Sequence, residues 1–202
     1  LSYPEIVRLA GGIPKIISSS SKDNFKLKIE DIERLISKNT KLLILNSPNN
    51  PTGNVLTEEE MKSIAKLLRK YTNICVMSDE IYELLLGENQ KHYSFASIAP
   101  DLKQRVFTIN GFAKGWAMTG WRLGYLAGNK DVIKAASALQ SQSTSNVCSF
   151  AQRGALAAIK GPKDCIHQMN KKYNKRRNLL VDGLLSIRGV SLVKPQGAFY
   201  AF

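Results

Sequence analysis

Apolar runs and helical repeats alternate along the chain. Tyr3 to Ala10 has helical spacing and stops at Gly11-Gly12, and Ile13 to Ser18 reads as a short strand. Ser18 to Asn24 is a polar loop, followed by a helix at about Lys28 to Lys38. Lys41-Leu-Leu-Ile-Leu-Asn46 is continuously apolar and closed by turn residues, the pattern of a strand buried on both faces. It ends in Asn46-Ser-Pro-Asn-Asn-Pro-Thr-Gly53, where two prolines forbid regular continuation. Thr57-Glu-Glu-Glu60 forms a capping box, and Met61, Ile64, Ala65 and Leu68 behind it repeat at helical spacing. Asn73 to Ser78 is the next buried strand and runs into Asp79-Glu-Ile-Tyr82. Arg105 to Ile109 is a third, leading through Gly111 into a loop that carries Lys114, and Trp121 to Ala127 is again strand-like. This alternation predicts an α/β fold with βαβ units and a parallel sheet.

From Lys130 onward the pattern turns helical. Asp131 to Gln140, Ser149 to Ile159, and Pro162 to about Ile187 read as three helices. Ser191-Leu-Val-Lys-Pro195 and Gly197-Ala-Phe-Tyr-Ala-Phe202 read as strands of a different unit. There are no repeats and no low-complexity segment.

Composition narrows the function classes. The 202 residues have room for one ordinary domain and part of another, and 44% are hydrophobic. No apolar run approaches the roughly 18 residues of a membrane span, and no membrane partner is expected. Leu1-Ser-Tyr-Pro-Glu-Ile has neither the basic start nor the apolar core of a targeting signal. Cys75, Cys148 and Cys165 are odd in number, widely spaced and form no CxxC pair, which fits reduced thiols and a cytoplasmic setting. The net charge of +13 raises the question of nucleic acid, with Lys171-Lys-Tyr-Asn-Lys-Arg-Arg177 as the densest cluster. That cluster lies within a helical pattern with Leu179, Leu180 and Leu184 and reads as a solvated face, so no nucleic-acid partner is expected. His92 and His167 are the only histidines and stand far apart, so no metal site is expected. The G-x-S-x-G elbow of a serine hydrolase is missing.

Open parallel sheets bind ligands beyond the carboxyl ends of their strands. Three strands here end in polar residues that a core would not hold: Asn50, Asp79 with Tyr82, and Lys114. If those ends are neighbours, an amide, a carboxylate, a phenol and an amine converge on one crevice. A lone loop lysine is ordinarily a solvated charge. Lys114, however, lies in Phe107-Thr-Ile-Asn-Gly-Phe-Ala-Lys-Gly-Trp-Ala-Met-Thr-Gly-Trp-Arg122-Leu-Gly-Tyr125, among glycines and aromatics with Arg122 eight residues on.

These motifs resemble those of the class I/II aminotransferases, pyridoxal-phosphate (PLP) enzymes of the aspartate aminotransferase fold. Asn-Ser-Pro-Asn-Asn-Pro-Thr-Gly53 is similar to the family's N-P-T-G loop, Ser78-Asp-Glu-Ile-Tyr82 to its aspartate motif, and the Lys114 segment to its lysine motif. Gln140-Ser-Gln-Ser-Thr-Ser145 and Pro195-Gln-Gly-Ala-Phe-Tyr200 extend the resemblance over the whole chain, most closely to bacterial aspartate aminotransferases. It implies a three-layer α/β/α large domain with a mostly parallel sheet over residues 1–170. The start of a small α+β C-terminal domain would occupy 171–202.

The same resemblance implies the chemistry. Lys114 would form the Schiff base and then move hydrogen as a base. Asp79 would keep the pyridine nitrogen protonated, so that the ring can act as an electron sink. Asn50 and Tyr82 would hydrogen-bond the cofactor's phenolic oxygen, and Arg122 would grip the phosphate with its bidentate fork. The reaction implied moves an amino group between an amino acid, aspartate or glutamate, and a 2-oxo acid, in a homodimer. One departure stands out. Many family members carry serine just before the lysine or three before it, whereas this chain has Ala113 and Gly111. Backbone amides and a helix N-terminus would then help Arg122. The glycine-rich phosphate turn and the stacking aromatic are expected before Leu1, and the arginine for the substrate α-carboxylate beyond Phe202. Two alternatives share the motifs: a PLP-sensing domain of a transcription regulator, and a related PLP enzyme such as an aromatic, alanine or prephenate aminotransferase or a β-lyase.

Overall fold

A computed structural model describes residues 2–202. Strands β1 (Leu42–Asn46), β2 (Cys75–Asp79), β3 (Val106–Gly111) and β4 (Gly124–Ala127) form one sheet in that order. The β1–β2 and β2–β3 pairs are parallel and β3–β4 is antiparallel, so the sheet is mostly parallel, as the alternation predicts. The helices are α1 (Ser2–Leu9), α2 (Ile29–Leu35), α3 (Glu58–Lys70), α4 (Phe95–Ile98), α5 (Lys130–Ser143), α6 (Ser149–Lys160) and α7 (Asp164–Leu185).

The core lies between α3 and the sheet. Met61, Ile64, Leu67 and Leu68 of α3 are buried against Leu45, Val76 and Val106 of the strands, with Ile32, Phe95 and Leu102 closing the cluster. The sequence starts α3 where the structure does: Thr57 Oγ1 accepts from Glu60 N at 3.2 Å, and Glu60 Oε2 accepts from Thr57 N at 2.8 Å. Arg105 ties the far end of this layer together by donating to the carbonyls of Leu68, Tyr71 and Ile74.

Four expectations need correction. Ile13 to Ser18 forms no strand; Pro14 removes a ladder donor and the segment finds no partner strand, leaving Ile13 83% exposed. The strand at 41–46 is not buried on both faces, since α3 covers only one and Leu42 stays exposed. Trp121 to Ala127 is strand only from Gly124. Thr119–Trp121 makes a 3-10 turn, and Arg122 takes a left-handed backbone, φ 51°. Finally, Ser191 to Pro195 and Gly197 to Phe202 yield a single bridge, Leu86 to Gly197, because Ala198 at φ 57° breaks the extended run. Among the described residues, no helix is long and apolar enough to cross a membrane.

Candidate active site

Strand register builds the site. In the parallel ladder Asn46 lies opposite Asp79, and Asp79 opposite Ile109. The carboxyl ends of β1, β2 and β3 therefore line up in one row, and their three loops leave the sheet from the same edge. This is the crevice position that a parallel sheet offers a ligand.

Asp79, half-buried at the end of β2, is held on all sides. Its Oδ1 accepts from Ile81 N at 3.2 Å and its Oδ2 from Tyr3 Oη at 2.5 Å. Its carbonyl accepts from Asn46 Nδ2 and Ser47 N, both at 3.2 Å. Burial, then the bond to Asp79 and the carboxylate's charge, push the Tyr3 phenol far above its ordinary range. Tyr3 thus stays protonated and serves as a donor. It lies 76 residues from its partner, and nothing local in the sequence marks it.

Tyr82 sits on the turn after β2, with 4% of its surface exposed. Its hydroxyl accepts from Asn50 Nδ2 at 3.4 Å and lies 2.6 Å from Tyr200 Oη. Burial first, then the Tyr200 hydroxyl and the charge of Asp79, raise the Tyr82 phenol; the Asn50 donor opposes them. The Lys114 Nζ lies 5.8 Å from the centre of the Tyr82 ring and 5.7 Å from that of Phe199. Among the described residues, its Nζ makes no hydrogen bond.

The loop bearing Asn50 is braced from within. Asn49 Oδ1 accepts from Thr52 N and Oγ1, Asn46 Oδ1 from Asn50 N, and Ser47 Oγ from Leu56 N. The Ser47-Pro48 and Asn50-Pro51 bonds are cis. Gly53 has φ +69°, and a Cβ there would lie 2.3 Å from that of Pro195. No other residue fits that position as built.

The departure at Gly111 has a steric cause. Gly111 pairs with Gly124 across β3–β4, and a Cβ on it would come within 2.8 Å of the Gly124 Cα and 2.9 Å of the Leu123 oxygen. A serine cannot enter without shifting the strand. Arg122 lies in the connection between those two strands, exposed, its Nη1 donating to the Thr119 carbonyl at 3.0 Å. It lines an open cleft of about 680 Å³ together with Trp121, Gln140, Thr144, Ser145 and Phe150. Of the five residues expected from the sequence, Asn50 hydrogen-bonds Tyr82, the Lys114 Nζ lies 5.8 Å from the centre of the Tyr82 ring, and Asp79 ends β2. Among the described residues no hydrogen bond joins Arg122 to these four.

A second polar cluster borders the site. Glu80, 2% exposed, uses Oε1 to accept from Ser78 Oγ, Ser94 Oγ and Phe95 N, while Oε2 lies 3.2 Å from His92 Nε2. Burial alone would push its carboxyl up. The donors from His92, Ser78 and Phe95 outweigh that and hold it below the usual carboxylate range. With Glu83, these residues bring three potential metal-ligand atoms within 4.8 Å, which the separation of the two histidines in sequence does not suggest. Protein donors already engage both Glu80 oxygens, so the carboxylate acts as an anchor between β2 and the segment before α4.

The strand-end crevice and its polar set agree with the sequence profile of the family "Aminotransferase class I and II", which matches residues 1–202, and the chain belongs to that family. Its members depend on pyridoxal phosphate. Among its relatives, the "Probable aspartate/prephenate aminotransferase" of Rickettsia conorii is 48% identical over 100% of this chain and 50% of its own length. The aspartate aminotransferase of Geobacillus stearothermophilus is 45% identical over 100% of this chain and 51% of its own. A crystal structure of the aspartate aminotransferase from Rhizobium meliloti superposes with a TM-score of 0.96 at 34% identity, covering 99% of this chain and 50% of that one. The chain thus spans about half the length of the curated relatives it matches.

Proposed function

We propose that the protein is a PLP-dependent transaminase that exchanges an amino group between an amino acid, aspartate or glutamate, and a 2-oxo acid. The observation that carries this reading is the meeting of Lys114, Tyr82 and Asn50 beside Asp79 at the aligned strand ends. The donor set fits the cofactor. An amine with no hydrogen-bond partner can join a carbonyl, a carboxylate can face a protonated ring nitrogen, and two donors can flank a phenolic oxygen. When bound, PLP supplies an electron sink for bonds at the substrate α-carbon.

This chain's residues would then divide the work. Lys114 would hold the cofactor covalently and, once displaced, carry a proton between the substrate carbon and the cofactor. Asp79, braced by Tyr3 and the Ile81 amide, would keep its charge aimed at the ring nitrogen. Tyr82 and Asn50 would donate to the phenolic oxygen. Arg122 would take the phosphate, turning from the Thr119 carbonyl, with backbone amides in place of a Gly111 side chain.

The relatives' names favour an enzyme over a PLP-sensing regulatory domain, and they favour aspartate among the amino donors. The same reading divides the chain into 1–170, part of the cofactor-binding domain, and 171–202, the start of a smaller one, with α7 running through the junction. It also takes the protein to be a cytoplasmic homodimer. The test is to add PLP to the full-length protein, reduce with borohydride, digest, and locate the modified peptide by mass spectrometry. We expect one adduct, on Lys114. Adducts scattered over surface lysines, or none, would overturn the assignment.

A further inference from the structure

Tyr82 is gripped from two directions, and only one follows from the roles above. Asn50 reaches it from the loop after β1 at 3.4 Å; Tyr200 reaches it from 118 residues away at 2.6 Å. The second contact is the shorter, and the backbone around it is pinned at several points. Gln196 N and Gly197 N both donate to the Gly53 carbonyl, at 2.9 and 2.8 Å. Gly87 N donates to the Gln196 carbonyl at 2.6 Å and Ala198 N to the Leu85 carbonyl at 2.8 Å. Gln196 Oε1 accepts from Val55 N at 3.2 Å. At Gly197 a Cβ would meet Pro48 at 2.8 Å and Val55 at 2.9 Å, so the segment lies flat on the loop that carries Asn50.

The rings add to this grip. Tyr82 meets Phe199 and Tyr200 edge-on, at centroid distances of 5.6 and 5.8 Å. Phe199 in turn stacks on Tyr173 of α7 at 5.6 Å. Either phenol can donate across the 2.6 Å contact. Once the single proton of Tyr82 is committed to an acceptor in the crevice, its oxygen can only accept from Tyr200. Hydrogen bonds in such a chain polarise one another, so the outer phenol strengthens the inner one as a donor.

We propose that Tyr200 is a positioning residue that acts through Tyr82, fixing its hydroxyl and donating to it so that Tyr82 donates more strongly to the cofactor's phenolic oxygen. The inference rests on the cofactor role proposed for Tyr82. It makes the segment after α7 part of the machinery that tunes the cofactor, although Tyr200 itself need not touch it.

Two readouts test it in the full-length protein. The first is the pH midpoint of the bound cofactor's visible absorbance in wild type, Tyr82→Phe, Tyr200→Phe and the double variant. Donation to the phenolate favours the deprotonated form of the Lys114 linkage, so Tyr200→Phe should raise the midpoint, by roughly half a pH unit for one neutral hydrogen bond. The shift should take the same direction as that of Tyr82→Phe and vanish in the Tyr82→Phe background. An unmoved midpoint, or an equal shift in both backgrounds, overturns the proposal. The second readout needs no cofactor: with 3-fluorotyrosine at position 82, Tyr200→Phe should move its fluorine resonance, and an unmoved resonance overturns the contact. If wild type gives no cofactor band at all, the transaminase reading fails, while the fluorine result still decides the Tyr200–Tyr82 link.

Discussion

At the scale of single residues, the site depends on groups that cannot exchange roles. Among the described residues Lys114 is the one amine facing the Tyr82 and Phe199 rings, and under the proposed assignment Lys114→Ala should abolish turnover while circular dichroism stays unchanged. Under the same assignment Asp79→Ala should cost at least tenfold in rate, about 1.4 kcal/mol of barrier, because the ring nitrogen would lose its charge partner. An unchanged rate in steady-state assays would remove Asp79 from the site. Glu80 gives a pH prediction. Its folded pKa lies below that of an unfolded glutamate, about 4.3, so its stabilisation is complete above that value and disappears as pH falls through the folded pKa. Glu80→Gln should therefore cost about 1–3 kcal/mol at neutral pH. Urea titrations along a pH series should show that gap closing below roughly pH 4; a gap independent of pH would sink the argument.

At the scale of elements, the reading from sequence was most secure where local chemistry decides. The capping box at Thr57–Glu60 forms as written, and Thr57→Ala should lower stability by about 1 kcal/mol in thermal melts. The parallel strands at 42–46, 75–79 and 106–111 were legible as apolar runs closed by polar ends. The strand expected at 13–18 failed because a strand needs a partner, and the sequence carries no record of who that partner is. Gly111 shows the reverse case. As a letter it looked like a missing serine, and only its pairing with Gly124 reveals why a side chain is excluded. Gly111→Ser should widen the β3–β4 pair and destabilise by about 1–3 kcal/mol, as overpacking does. Denaturant midpoints equal to wild type would show that the hairpin yields freely.

At the scale of the whole molecule, much apolar surface has no cover within these residues. Leu139 on α5 is 72% exposed, Phe150 on α6 73% and Leu179 on α7 75%, and no residue of α5 is buried. Apolar side chains exposed to this degree on three helices offer surface on which further protein can pack. With these side chains uncovered, the 202-residue chain should bind the dye ANS strongly in a fluorescence titration. Weak dye binding by the isolated chain would mean that these helices repack on their own.

Local pattern is enough for the chemical types at the three strand ends, for the succession β1, α3, β2 and β3, and for the family. Periodicity, caps and motif spacing are local properties, written within a few residues of where they act. The tertiary structure alone decided that Asn46, Asp79 and Ile109 share one row, that β4 turns back antiparallel, and that Tyr3 and Tyr200 close on Asp79 and Tyr82. Those contacts span 76 and 118 residues. Their partners meet only after register and packing have brought distant segments together, and no local pattern encodes such a meeting.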